Sequence, residues 1–288
     1  LHDALPISPS LPPGYIQCAG ILSGHGIGTL DQLRAHIAAG PVMDGSFSSG
    51  RHGVMGPDPR AASTGAGDPR RAPVAQLDAV VFDLDGVLRH YDRERSRQIE
   101  RRYDLEENAI FRAAFGGPFG RVFMCGQLDH DQFAAAVGDL IGSVDAVAEF
   151  LAARAVVDDD AVALVREVRR QRPVALLTNG SLRTRLELEE VGLSDAFDAV
   201  FNSAETGVLK PDAAAYQNVL RALDVNAHAA AFVDDHPPNV AGAASVGLIG
   251  HHFLGLDALR VFLRSHGLSV PDQANMSAGP IAEQRTMR

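Results

Sequence analysis

Two carboxylates stand two residues apart in Asp83-Leu84-Asp85-Gly86-Val87, directly after the apolar run Ala79-Val80-Val81-Phe82. A short apolar run closed by a turn signal reads as a buried strand, and Gly86 lets the chain break sharply out of it. Chemistry in an open α/β sheet gathers outside the carboxyl ends of its strands. A D-x-D at such an end offers a nucleophile, a second carboxylate for proton work and a seat for a metal ion. A second feature concerns charge. Of 26 Lys and Arg residues, 25 are Arg, and the one lysine is Lys210 in Gly207-Val208-Leu209-Lys210-Pro211-Asp212. Where Arg fills nearly every cationic position, a retained Lys points to a need for a compact ammonium, not a wide planar fork.

Strands alternating with helices must position these groups. From about residue 77 the pattern predicts a strand at 79–83, helices from about 89 to 155 with a break at Gly116-Gly117-Pro118, and a helix at 159–171. A strand follows at 174–178, a helix at 181–191, a strand at 199–202 and a helix at 212–223. The remainder reads as a strand at 230–234, a helix at 239–245, a strand at 246–249 and a last helix at 256–265. Such alternation implies a parallel sheet with helices on both faces. The expected fold class is a three-layer, Rossmann-like α/β core with a small all-helical domain inserted after the first strand. Four strand ends then converge on one edge with Asp83 and Asp85, Thr178 and Asn179, Lys210, and Asp234 and Asp235.

Residues 1–73 differ from the rest, with 12 of the 28 Gly, 9 of the 16 Pro and no net charge. Only 29–39 reads as a short helix. The segment reads either as a disordered leader or as a fragment of something upstream that is not part of the domain, and its removal is expected to leave activity intact. Gly24-His25-Gly26-Ile27-Gly28 lacks both a preceding strand and the G-x-G-x-x-G spacing, so it does not read as a nucleotide site. The net charge of −10 lies wholly in residues 74–288 and argues against phosphate-driven nucleic-acid binding. It does not forbid an anionic substrate if a bound cation intervenes. No apolar stretch approaches the ~20 residues that span a bilayer, and no basic-then-apolar signal peptide opens the chain. Cys18 and Cys125 give no disulfide framework or zinc pattern. A cytoplasmic protein, monomeric or homodimeric, is expected.

The four segments D-L-D-G-V (83–87), L-L-T-N-G (176–180), G-V-L-K-P-D (207–212) and V-D-D (233–235), followed by Asn239, resemble, in order, the four motifs of the haloacid dehalogenase-like (HAD) superfamily. The resemblance covers residues 77 to about 266 and is to the phosphatase branch of subfamily I, with a C1-type helical cap. It implies a leader at 1–76, a core at 77–88 and 156–268, a cap at 89–155 and a polar tail at 269–288. It further implies that Asp83 attacks phosphorus and becomes an aspartyl phosphate, and that Asp85 protonates the leaving oxygen and then activates water. Thr178, with nearby backbone N–H groups and Asn179, would hold the phosphoryl oxygens, and Lys210 would neutralise charge between Asp83 and phosphate. Mg²⁺ would sit on Asp83, the Asp85 carbonyl and Asp234, with Asp235 completing or orienting the shell.

Elementary chemistry agrees with those roles. A carboxylate attacking a phosphate dianion needs a divalent cation and an ammonium to screen the repulsion. Few carboxylates plus substrate and water oxygens suit Mg²⁺. An alkoxide leaving group needs a proton, whereas dehalogenases of the superfamily lack the acid at the Asp85 position, so Asp85 favours a phosphate ester over a haloacid. The expected partner is a small phosphorylated metabolite. A phosphosugar mutase of the β-phosphoglucomutase type uses the same core, and a non-catalytic phosphometabolite-binding protein is the alternative outside enzymology, since fold alone does not fix function.

Within the inserted block, Gly126-Gln127-Leu128-Asp129-His130-Asp131-Gln132-Phe133 resembles a segment of sugar-phosphate and small-ester phosphatases. Asp129 and Gln132 also make a capping box, which explains those two residues as a helix start. Arg89, His90, Tyr91, Arg112 and Arg121 are candidates to face the substrate. His236 is a candidate for the site edge. The pair His251-His252 reads as a strand end outside the site, because hard Mg²⁺ does not need imidazole.

Overall fold

A computed structural model describes residues 76–271. The leader, the helix expected at 29–39, the glycine loop at 24–28, Cys18 and most of the polar tail lie outside the described residues. The chain runs through β1 (Ala79–Phe82), β2 (Arg89–His90), α1 (Arg93–Arg102), α2 (Ala109–Phe115), α3 (Pro118–Met124), α4 (His130–Ile141), α5 (Val144–Leu151) and β3 (Val156–Val157). It continues through α6 (Asp159–Arg169), β4 (Val174–Thr178), α7 (Thr184–Glu190), β5 (Ala199–Asn202), α8 (Ser203–Thr206) and α9 (Ala213–Leu223). The described chain is completed by β6 (Ala230–Asp234), α10 (Pro237–Ser245), β7 (Ile249–His252) and α11 (Leu256–Ser265).

Five strands form one sheet in the order β5-β4-β1-β6-β7, and every neighbouring pair is parallel. Both faces are covered, which is why β1 reads as an unbroken apolar run. Successive residues point to opposite faces. Val80 and Phe82 join Leu176 and Val233 against Val162 and Val165 of α6, Leu188 of α7, and Leu259 and Leu263 of α11. Val81 joins Ala175 and Phe232 on the other face, against Tyr216 and Val219 of α9 and Ala243 of α10.

The helices α1–α5 enclose a core of their own, built on Ile99, Ile110, Phe119, Phe133, Val137 and Val147. Phe123 and Phe133 stack within it at 4.1 Å between centroids. Buried Glu100 on α1 accepts from the backbone N–H of Asn108 and Ile110 at 2.8 and 3.1 Å. It thereby satisfies donors that the start of α2 leaves without helical partners.

Two expectations are corrected. The helical block does not begin at residue 89, because Arg89–His90 pairs antiparallel with Val156–Val157. Two-residue strands are too short to show a period. The last strand lies at 249–252, not 246–249. Helix α10 runs to Ser245, and the Gly247 and Leu248 N–H groups still bond back to Ala244 and Ala243. Gly247, at φ +96°, supplies the left-handed exit, so extended backbone starts only beyond it.

Candidate active site

The strand order reverses around β1. The chain proceeds outward through β4 and β5, then returns to the other side of β1 for β6 and β7. A crevice opens at such a switch point, outside the carboxyl ends of the strands. Asp83 follows β1 directly, and its N–H bonds to the Val233 carbonyl at 2.9 Å, which carries the strand register onto Asp234 at the end of β6.

Lys210 joins the two carboxylates. Its Nζ lies 2.6 Å from Asp83 Oδ1 and 2.7 Å from Asp234 Oδ2, and the three side chains are 1%, 9% and 0% exposed. Helix α8 ends at Gly207, φ +69°, and the following loop brings Lys210 inward. Asn179 fixes that loop: its Oδ1 accepts from the Lys210 N–H at 2.8 Å and its Nδ2 donates to the Lys210 carbonyl at 3.0 Å. The Asn179 amide is therefore committed to the Lys210 backbone. Thr178 is buried at the end of β4.

Asp234 is held from several sides. Its Oδ1 accepts from the His236 N–H at 2.8 Å, and Asn239 Nδ2 reaches Oδ1 and Oδ2 at 3.2 and 3.0 Å. Tyr216 OH donates to the Asn239 carbonyl at 2.7 Å, which steadies the start of α10. Asp235 is exposed and packs against Gly86. A Cβ on Gly86 would meet Asp235 Oδ2 at 2.2 Å, and Gly86 also has φ +91°.

Asp83, Asp234 and Asp235 offer carboxylate oxygens within 4.8 Å of one another. Once all are ionised, three carboxylates and one ammonium leave this partly buried cluster two charges negative. Burial raises the Asp83 carboxyl to about 7, with Asp234 adding to the rise and Lys210 opposing it. Burial also raises Asp235, again reinforced by Asp234. Burial alone would lower Lys210, but Asp83 and Asp234 outweigh it and hold the ammonium above the ordinary lysine range. Hard oxygens with excess negative charge and no imidazole among them suit Mg²⁺ or a similar hard dication.

Asp85 is not one of those three ligands and is held by an arginine. Arg89 Nε and Nη2 contact its Oδ1 and Oδ2 at 2.6 and 3.3 Å, and Arg89 Nη1 reaches Glu187 Oε2 on α7 at 2.9 Å. Sequence reasoning singled out Arg89 only as a residue facing substrate, and it missed Glu187, which lies 98 residues further along the chain. Among the other block candidates, Tyr91 lies against the Arg89 guanidinium, 5.6 Å from its ring centroid. Arg121 pairs with Asp212 at 3.2 Å, just beyond Lys210. Arg112 is taken up by Glu106 and the Glu107 carbonyl. His90 is exposed. His251 stacks on Phe262 at 4.4 Å, while His252 Nε2 lies 3.1 Å from the Asp235 carbonyl and so touches the site's edge.

Helix α3 leads to the same edge. Ser203 Oγ donates to the Met124 carbonyl at 2.6 Å, and Gly126 approaches Ala204 so closely that a Cβ would lie 2.1 Å from its carbonyl oxygen. The helical block is thus seated on the segment that leads to Lys210.

A family model for haloacid dehalogenase-like hydrolases matches residues 77–247. The chain is 31% identical over 180 residues to a sesquiterpene phosphatase of Aspergillus oryzae, spanning 60% of this chain and 88% of that one. It is 31% identical over 192 residues to a phosphatase of Mycobacterium tuberculosis, spanning 60% and 85% respectively. Among solved structures, the magnesium complex of a HAD family enzyme from Bacteroides thetaiotaomicron superposes with a TM-score of 0.55 at 20% identity, over 65% of this chain and 98% of that chain. A family match over more than half of its length establishes that the chain belongs to the haloacid dehalogenase-like hydrolases.

Proposed function

We propose that this protein hydrolyses a small-molecule phosphate monoester in two displacements, with Mg²⁺ at the Asp83, Asp234 and Asp235 cluster. The observation that carries the reading is the buried contact of Lys210 with both Asp83 and Asp234 at the switch point of the sheet. It supplies a carboxylate nucleophile beside a fixed ammonium, with oxygen ligands for a dication within 4.8 Å. The two curated relatives described above are phosphatases, which supports the same reaction class.

In the first displacement Asp83 attacks phosphorus, the ester P–O bond breaks, and its electron pair leaves on the alkoxide oxygen, which takes a proton from Asp85. In the second, Asp85 takes a proton from water as the water oxygen attacks phosphorus, which frees Asp83 and inorganic phosphate. Lys210 offsets the negative charge that Asp83 and the phosphoryl group bring together. Thr178 and backbone N–H groups at the end of β4 hold phosphoryl oxygens. Asn179 acts as a positioning residue through the Lys210 backbone, and Asn239 does so through Asp234. The bound metal ion would supply further charge neutralisation at the phosphoryl oxygens. The helical block, Arg93 to Leu151, is read as a cap that limits water and selects the leaving group.

The test is phosphate release from p-nitrophenyl phosphate and a panel of sugar and small-acid phosphates, with Mg²⁺, with EDTA, and in Asp83→Asn. We expect Mg²⁺-dependent release that falls at least ~10³-fold in the variant, the scale of losing a key electrostatic group. Undiminished turnover in Asp83→Asn refutes the nucleophile assignment. Isomerisation of a sugar 1-phosphate without phosphate release would replace hydrolysis with mutase chemistry.

A further inference from the structure

Asp85, the group that must reach the leaving oxygen, is gripped by a buried arginine. Arg89 is 6% exposed in its side chain, and it engages Asp85 with two N–H groups and Glu187 with a third. Its backbone is tied to the same loop: the Arg89 N–H bonds to the Leu84 carbonyl at 3.1 Å, and the Arg89 carbonyl accepts from the Gly86 N–H at 2.8 Å. A guanidinium fork that meets both oxygens of a carboxylate fixes the plane and rotamer of that carboxylate as well as its distance. The two contacts are unequal. Oδ1 is held at 2.6 Å and Oδ2 at 3.3 Å, so Oδ1 carries the tighter hold.

We infer that Arg89 is a positioning residue for Asp85, and that Glu187 on α7 holds Arg89 in place. Leaving-group protonation then depends on a three-residue chain, Glu187–Arg89–Asp85, that runs from the helix after β4 to the loop after β1. The inference rests on the phosphate-ester reading above. Arg89 touches no reacting atom and acts only through Asp85.

A purely structural role for Arg89 predicts something different from a positioning role. Distorting the loop after β1 would disturb Asp83 as well, and every ester would suffer alike. Misplacing Asp85 alone harms only esters whose leaving group needs a proton. p-Nitrophenolate departs without one, whereas an alkoxide does not.

The experiment compares kcat/KM, which reports the first transfer, for p-nitrophenyl phosphate and an alkyl phosphate. It uses wild type, Arg89→Ala, Glu187→Gln, Asp85→Asn and the double variant Asp85→Asn/Arg89→Ala. Arg89→Ala is expected to lose at least ~10-fold more on the alkyl ester than on p-nitrophenyl phosphate, part of the ~10²–10⁴ that a positioned acid supplies. Glu187→Gln should show the same selectivity to a smaller degree. The double variant should be no worse than Asp85→Asn alone, since residues acting as one unit are non-additive. Equal losses on both esters, no loss, or additive effects in the double variant would overturn the inference. If Arg89→Ala does not fold, the ester selectivity of Glu187→Gln decides in the same way. A wild-type protein that turns over neither ester defeats the phosphatase reading instead, so the two failures are distinguishable.

Discussion

Replacing Lys210 by Met removes an ammonium of similar length to the new side chain and leaves two buried carboxylates facing each other. Each contact, at 2.6 and 2.7 Å, carries roughly 6 kcal/mol of gross Coulomb attraction at an effective dielectric near 20. Desolvation of all three groups takes back a large share of this. Removing one partner of a buried ion pair costs ~3–5 kcal/mol in practice. At about 2–4 °C per kcal/mol for a domain of this size, the expected fall in Tm is roughly 6–20 °C.

The assay is thermal unfolding in EDTA at pH 8, above the value of about 7 to which Asp83 is raised in the wild type; because Lys210 opposes that rise, Asp83 is pushed higher still in the variant, and its uptake of a proton sets the lower end of the expected fall. With Lys210 gone, Mg²⁺ is the one cation left to neutralise the ionised carboxylates, so it should raise Tm by more in the variant than in wild type. Activity should nonetheless stay at least ~10²-fold down. Recovered stability without recovered turnover separates the folding role of Lys210 from its chemical role. A Tm in EDTA within about 2 °C of wild type, or an equal Mg²⁺ shift in both proteins, would refute this account of the cluster.

The raised Asp83 also fixes a pH dependence. Because its folded value of about 7 lies above the ordinary 3.8, the folded state binds the extra proton between them. The metal-free protein should therefore lose stability from this group as pH rises from about 4 to 7. Mg²⁺ competes with that proton, so its stabilising shift should be larger at pH 8 than at pH 6; an identical shift at both would count against the reading. Gly86→Ala drives a Cβ into Asp235 at a backbone angle suited to glycine, and Mg²⁺ half-saturation of activity should move up at least ~10-fold as a ligand is displaced. Wild-type Mg²⁺ dependence would show that Asp235 is not part of the metal shell. Asn179→Ala removes both bonds to the Lys210 backbone, at ~0.5–1.5 kcal/mol each. Turnover should drop about tenfold and KM little, whereas a pure KM effect would place Asn179 on the substrate instead.

The parts of the fold that sequence revealed are those where apolar content and turn residues coincide. Val174–Thr178, Ala199–Asn202 and Ala230–Asp234 begin and end at the expected residues, since each is an apolar run, fully buried in the first and last and half-buried in the edge strand Ala199–Asn202, closed by a polar strand end. The convergence of Asp83, Lys210 and Asp234 followed from parallel topology alone. Less legible were features made by pairing across long separations. The Arg89–His90 and Val156–Val157 ribbon has no periodicity to read, and the Arg89–Glu187 contact joins residues with no shared motif. Asn179 illustrates a subtler limit. Sequence placed it at the site, but only the geometry shows its amide spent on a backbone partner. The late start of β7 came from a helix exit at Gly247 whose φ a sequence pattern does not encode.

The short ribbon has an implication for engineering. The helical block leaves and re-enters the sheet domain at directly paired residues, Arg89 with Val157 and His90 with Val156. Its two ends are therefore already brought together, and a replacement segment of different length would pay little extra closure entropy there. The block is a natural cassette: if it acts as the cap proposed above, grafting another helical segment between His90 and Val156 is expected to exchange the leaving groups admitted while the strand ends keep their register.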